Sequence, residues 1–222
     1  MDRRTREEGQ SMYLFTRRTR LARGDGAAGV AWALSITEKV KEVTGHEVQL
    51  WSTVYSAGFG TISWTAWFDD LASLEAVGDK LDADPAMAAL GNAGNEFTDG
   101  SLDDGLLQPI YGDPSAGGGA QYVGGAVAVC AAGNIERAMG LGVEIAQKSE
   151  TITGLPTMFV RSLTGPYGGV GWLTGYESIT AMEKAEDAIA ADSSFLKLID
   201  STKGCFVEDA TTTQATIYRR LG

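Results

Sequence analysis

The chain holds a single histidine, His46. It is the sharpest candidate for proton transfer, because an imidazole with a pKa of about 6.5 can take and give a proton near neutrality. The competing reading is a solvent-exposed turn residue. Two arginines, Arg17 and Arg161, fall in the middle of strand-like runs. A cation there must be paired if it is buried. Inside a cavity it could hold a carboxylate or an enolate; otherwise it forms an ordinary salt bridge, for example to Glu47 or Glu177. Trp51, Tyr55, Trp64, Trp67, Trp172 and Tyr176 gather around two hairpin-like stretches. Aromatics so placed either fill a core or line a pocket for a flat apolar ligand. His46, Tyr55 and Arg161 are therefore the candidate catalytic residues, and Trp51, Trp67 and Arg17 the candidate substrate-binding residues.

Other chemistries lack their residues. One His and two separated Cys cannot build a usual zinc site, so no metal is expected. Gly117-Gly118-Gly119 has neither the spacing nor the strand-to-helix context of a phosphate-binding loop, and no cofactor is expected. A Ser-His-Asp triad would have to use His46, and nothing near it marks a nucleophile elbow. The net charge is −11, unevenly spread: the first 23 residues carry seven Arg against three acidic residues. An acidic body repels nucleic acid and anionic membranes, so neither is expected as a partner. The run Arg17-Arg18-Thr19-Arg20 reads as a strand whose alternate residues face solvent or an acidic neighbour; an anionic ligand inside the fold is the other reading. No run of 18 apolar residues suggests a membrane span. A charged start without an apolar stretch behind it, and two cysteines that read as reduced thiols, suggest a cytoplasmic protein.

These residues sit on a repeat. Sliding the chain on itself by 109 residues brings Tyr13 onto Tyr122, Gly24 onto Gly133 and Val43-Thr44-Gly45 onto Ile152-Thr153-Gly154. A shift of 108 brings Trp64 onto Trp172, Glu75 onto Glu183 and Ala83-Asp84 onto Ala191-Asp192. Each half predicts strand, helix, two strands in a hairpin, helix, strand. The strands begin at Tyr13 and Gln121, and the long helices run over Ala27–Val43 and Ile135–Ile152. Gly24-Asp25-Gly26 and Ala132-Gly133-Asn134 supply turn and N-cap signals, and Gly45 and Gly154 end the helices. The second helices start at caps Asp69/Asp70 and Ser178. The last strands are expected over Leu106–Tyr111 and from about Val207 to Arg219. The expected organisation is a disordered tail over residues 1–11, a first module over 12–111, a linker over 112–119 and a second module over 120–222.

The fold class is thus α+β: two tandem ferredoxin-like βαββαβ modules packed sheet to sheet as a pseudo-dimeric barrel. The stretch Gly60-Thr61-Ile62-Ser63-Trp64-Thr65-Ala66-Trp67-Phe68 leads into Leu71–Ala76 and ends at Asp84-Pro85. It and its twin, from Gly171-Trp172 through Tyr176-Glu177-Ser178 to Asp192, resemble the dimeric α+β barrel superfamily. That superfamily includes antibiotic-biosynthesis monooxygenases, polyketide cyclases, haem-degrading monooxygenases and NIPSNAP-like proteins. In its cyclases a His or Tyr at the cavity rim moves the proton, which the resemblance carries onto His46. Its haem-degrading members place a His at the end of the second helix, where this chain has Ala88-Ala89-Leu90-Gly91-Asn92 and Leu196-Lys197-Leu198-Ile199.

The resemblance implies a barrel that binds an apolar small molecule. It could act as a cofactor-independent monooxygenase, cyclase or isomerase on an apolar or aromatic metabolite, with the substrate between sheet and helices in one half. The alternatives are a non-catalytic ligand-binding or self-assembling barrel, with a homo-oligomer as partner state, and a haem-binding protein using His46. Unequal twins mark where function is expected: His46/Leu155, Trp51/Val160, Ser52/Arg161 and Trp67/Gly175. Cys130 and Cys205 are expected on neighbouring strands, with Cys205 starting the last one.

Overall fold

The computed structural model describes residues 12–24, 26–209 and 211–222. The expected tail over residues 1–11 and the cap signal at Asp25 lie outside the described residues. The elements of the first half are β1 (Tyr13–Arg20), α1 (Gly26–Thr44), β2 (Gln49–Val54), β3 (Thr61–Phe68), α2 (Leu71–Asp82), α3 (Pro85–Ala93) and β4 (Asp103–Tyr111). Those of the second are β5 (Tyr122–Val129), α4 (Ile135–Thr153), β6 (Thr157–Ser162), β7 (Gly169–Tyr176), α5 (Ile179–Ala191), α6 (Ser193–Ser201) and β8 (Gln214–Leu221). The last strand starts later than the hydropathy suggests. Cys205 and Phe206 lie in the approach to it, where Phe206 forms an isolated bridge with Cys130.

The eight strands close into an antiparallel barrel in the order β1-β3-β2-β8-β5-β7-β6-β4, with β4 returning to β1. The order repeats after four strands, so each half supplies one side. Alternation along each strand sends one set of side chains outward beneath the helices and the other into the barrel. Outward go Leu50, Ile62 and Trp64, buried with Ala33 of α1. Outward in the second half go Ala128, Phe159 and Val170, buried with Ala138 and Ala146 of α4 and with both cysteines. Burial of a side chain of the Leu, Ile or Phe size stabilises by roughly 1.5–3 kcal/mol.

Twin positions carry the same bonds. The Trp64 indole N–H donates to the Ala33 carbonyl at 3.2 Å, and that of Trp172 donates to the Gly142 carbonyl at 2.8 Å. At the ends of α1 and α4, Thr44 and Thr153 accept the backbone N–H of His46 and Leu155 at 3.0 and 3.1 Å. Gly45 and Gly154 turn the chain there with φ of 72° and 70°. Asp70 and Ser178 cap α2 and α5, and Asp84 and Asp192 cap α3 and α6. Asn134 does not cap α4: its side chain donates instead to the Gly204 carbonyl, tying the helix start to the turn before β8.

A Cβ built on Gly142 would fall on the Phe159 ring. Gly142→Ala should therefore lift α4 from the sheet and cost about 1–3 kcal/mol, read as a lower urea midpoint with an unchanged slope. The caps give a pH dependence. Backbone and hydroxyl donors from Ser73 hold the Asp70 carboxyl below its ordinary value, as the Ser194 hydroxyl and Phe195 N–H do for Asp192. A carboxyl depressed on folding contributes its full stability above its unfolded pKa, near 3.9, and loses it as pH falls through the folded value. Asp70→Ala with Asp192→Ala should flatten the acid limb of a pH–melting curve relative to the parent.

Candidate functional site

The inner faces of the strands do not meet. They enclose a cavity of about 730 Å³ that runs along the barrel, within the roughly 300–1,000 Å³ usual for small-molecule sites. The strand registers place both hairpin turns, residues 55–60 and 163–168, at one end. The segment between the halves lies at the other, where Asp113–Gly118 lines the wall and the Gly118 carbonyl accepts from Arg220 at 3.3 Å. The pocket expected between sheet and helices is thus not where the space lies; that layer is filled by Trp64, Trp172 and Phe159, and the space is inside the barrel.

Its walls are unequal. From β2 and β3 come Gln49, Trp51, Ser63, Thr65 and Trp67; from β5 and β7 come Val123, Gly125, Val127, Gly169, Leu173 and Gly175. Bulky aromatic groups on one side and glycines on the other leave a slot suited to a flat molecule. Trp51 is 6% exposed, and its N–H donates to the Thr65 hydroxyl at 2.9 Å. That bond satisfies the indole and leaves its ring as apolar wall. Leu14, Leu107 and Met158 extend the apolar surface, and Tyr218 and Thr216 of β8 add hydroxyls.

Of the six residues singled out from sequence, the structure brings two together here, Trp51 and Trp67. His46 is half-buried at the end of α1, outside the cavity wall. Its ring stacks on Phe68 with centroids 4.3 Å apart, and Nε2 lies 2.9 Å from the Trp67 carbonyl. Tyr55 is 83% exposed at a hairpin tip with φ of 50° and borders a shallow surface depression with Phe59. Arg17 and Arg161 point outward. Arg17 makes two 2.7 Å bonds to Asp104 across β1 and β4, which raise its pKa, with burial opposing. Arg161 donates twice to Gln108, at 2.8 and 2.6 Å.

Sequence reasoning named Arg18 only within the basic run, with an anionic ligand inside the fold as one reading, and passed over Ser63; both lie on the cavity wall. Ser63 is 4% exposed, and its hydroxyl has no hydrogen-bond partner among the described residues. The signal was present in the strand alternation: Leu14, Thr16 and Arg18 share one face and Tyr13, Phe15 and Arg17 the other.

A haem fits these residues poorly, because the chain's one imidazole is held against Trp67 and Phe68 rather than turned to the cavity. Among the described residues, no group of three or more His, Cys, Asp or Glu side chains is placed to hold a metal ion. Cys130 and Cys205 are free thiols buried in one cluster, and burial pushes the Cys130 thiol up, away from the reactive thiolate. No described helix is long and apolar enough to cross a membrane.

No family model matches the sequence, and no curated protein does. Solved structures match over nearly the whole chain at low identity. A candidate monooxygenase of Fusobacterium nucleatum is 10% identical over 96% of this chain and 94% of its own, with a TM-score of 0.68. An anthrone oxidase-like protein is 12% identical over 97% and 93%, with a TM-score of 0.64. A candidate chlorite dismutase is 10% identical over 96% of both chains, with a TM-score of 0.56. The chain has the dimeric α+β barrel fold in single-chain form.

His46→Ala removes one hydrogen bond and one ring stack, and should cost about 1–2 kcal/mol of stability. The affinity of the barrel for 1-aminoanthracene, followed by quenching of tryptophan fluorescence, should stay at the parent value. A large loss of affinity would return His46 to the site.

Proposed function

We propose that the barrel interior binds a flat apolar small molecule, and that the protein acts on it as a cofactor-independent monooxygenase. The observation that carries the binding is the cavity of about 730 Å³ walled by Trp51 and Trp67 on one side and by glycines on the other. The names of the neighbouring structures support the reaction.

The chemistry is self-contained. A substrate with an acidic CH2 beside a carbonyl supplies all four electrons that dioxygen needs: the CH2 group and O2 give C=O and H2O. The substrate must ionise first. No imidazole lines the described wall; the Asp104 carboxylate is committed to Arg17 and the Asp113 carboxylate accepts from the Ser115 N–H. The reading therefore requires a strong carbon acid, assisted by wall hydroxyls and water. Cyclase and isomerase reactions, which depend on a placed acid–base pair, fit this wall less well. A self-assembling structural barrel is supported less again, since closure leaves none of the eight strands with a free edge.

Val127 is 49% exposed although it lies on the barrel wall, so it borders open space. Val127→Trp should fill the slot. With anthrone as probe in air-saturated buffer and no added cofactor, the parent protein should speed oxygen uptake above the buffer rate, and Val127→Trp should lose both the rate and the binding while melting at the parent temperature. Binding without oxygen uptake would leave a non-catalytic binding protein. Absence of binding would remove the interior as a site.

A further inference from the structure

The inner face of β1 carries a cation that the fold does not use. Arg18 lies directly opposite Ser63 of β3, and Ser63 lies opposite Trp51 of β2. All three border the cavity. Arg17, one residue earlier and on the outer face, is fully engaged with Asp104. The Arg18 side chain makes no hydrogen bond or ion pair with any described residue, and although Asp103 faces it across β4, the two form no ion pair. Beside it, the Ser63 hydroxyl is buried and unpartnered. A buried hydroxyl without a partner is a standing cost to the fold, and the exposed Arg18 guanidinium beside it is a cation with no protein acceptor. One ligand group would engage both: an oxygen anion, which accepts from the guanidinium fork and from the hydroxyl at once.

We propose that Arg18 and Ser63 form an oxyanion subsite near the hairpin end of the barrel, so that the ligand is a flat aromatic molecule carrying a carboxylate, phenolate or enolate oxygen. The aromatic part would lie against Trp51, the next residue along the same row. The protein carries a net charge of −11, so its overall field opposes an anion, and selectivity for one must come from this local pair. The inference rests on the interior binding proposed above and adds the charge of the ligand; it does not depend on the oxygenase reaction.

The test compares two matched probes by quenching of tryptophan fluorescence, anthracene-2-carboxylate and anthracene-2-carboxamide. The parent protein should bind the carboxylate at least about tenfold more tightly, as a charge-assisted bond replaces a neutral one, and the preference should shrink as salt is added. Arg18→Gln should abolish the preference while leaving carboxamide binding in place. Ser63→Ala should weaken the carboxylate more than the carboxamide. Arg18 is an exposed side chain without partners, so its replacement leaves the fold intact, and the probe ratio in the parent needs no variant at all. Equal affinities in the parent, or a preference that survives Arg18→Gln, overturn the subsite while leaving interior binding standing. Failure of both probes to bind overturns the interior site and the subsite together.

Discussion

The barrel closes where the halves meet, along the seam of β2 with β8 and the seam of β4 with β6. At the first, Leu50 faces Leu221 and Val54 faces Ile217. At the second, Leu107 faces Ser162 and Pro109 faces Val160, with a register shift before Tyr111. Pro109 has no N–H to give a ladder, and it stands where the ladder is irregular. These seams satisfy the backbone groups of four strands that would otherwise be edges. They also decide which face of every strand is inside. Each half alone presents a four-stranded sheet with helices on one face, and Trp51, Trp67 and Leu173 would be left in water on the other. Loss of a seam therefore exposes the interior of both halves.

Closure leaves the contents of the barrel to the side chains. An eight-stranded barrel is just wide enough for its inward residues to fill it or for one small ligand to remain. This one is kept open by small wall residues, Gly105, Gly125, Gly169 and Gly175 among them. The unequal twins explain the shape. Trp51 and Trp67 project inward from the first half, while Gly175, the counterpart of Trp67, leaves room in the second. The third unequal pair, Ser52 and Arg161, faces outward and adds nothing to the cavity. The fourth, His46 and Leu155, shares a threonine-held turn and differs only in the side chain carried outside the wall.

The fold was legible because its signals are local and repeated. Gly45 and Gly154, Asp84 and Asp192, Trp64 and Trp172 mark corresponding corners, and each makes the same contact in both halves. The start of β8 was not legible, because Cys205 and Phe206 are strand-like apolar residues that are spent on Cys130 and on the cluster beneath α4. The site was legible in part. Comparing twins found Trp51 and Trp67, since an aromatic facing a small residue changes the space between them. It could not say that the space was inside the sheets rather than under the helices. In both places the wall is apolar, and only the phase of the alternation separates them.

That phase also separates Arg17 from Arg18. Arg17 and Arg18 are both exposed at the same end of β1, and two adjacent arginines are equivalent until the barrel is closed. Closure gives Arg17 an acid on the outer surface and gives Arg18 a cavity. The same geometry turns His46 from a candidate base into a brace for the Trp67 backbone. A site without an imidazole but with a cation beside a hydroxyl is poorly equipped to move protons and well equipped to hold an oxygen that has already lost one. On the proposed subsite, selectivity would rest on the acidity of the ligand: a molecule that ionises readily would gain Arg18 and Ser63 together, and one that stays neutral would gain only the aromatic wall.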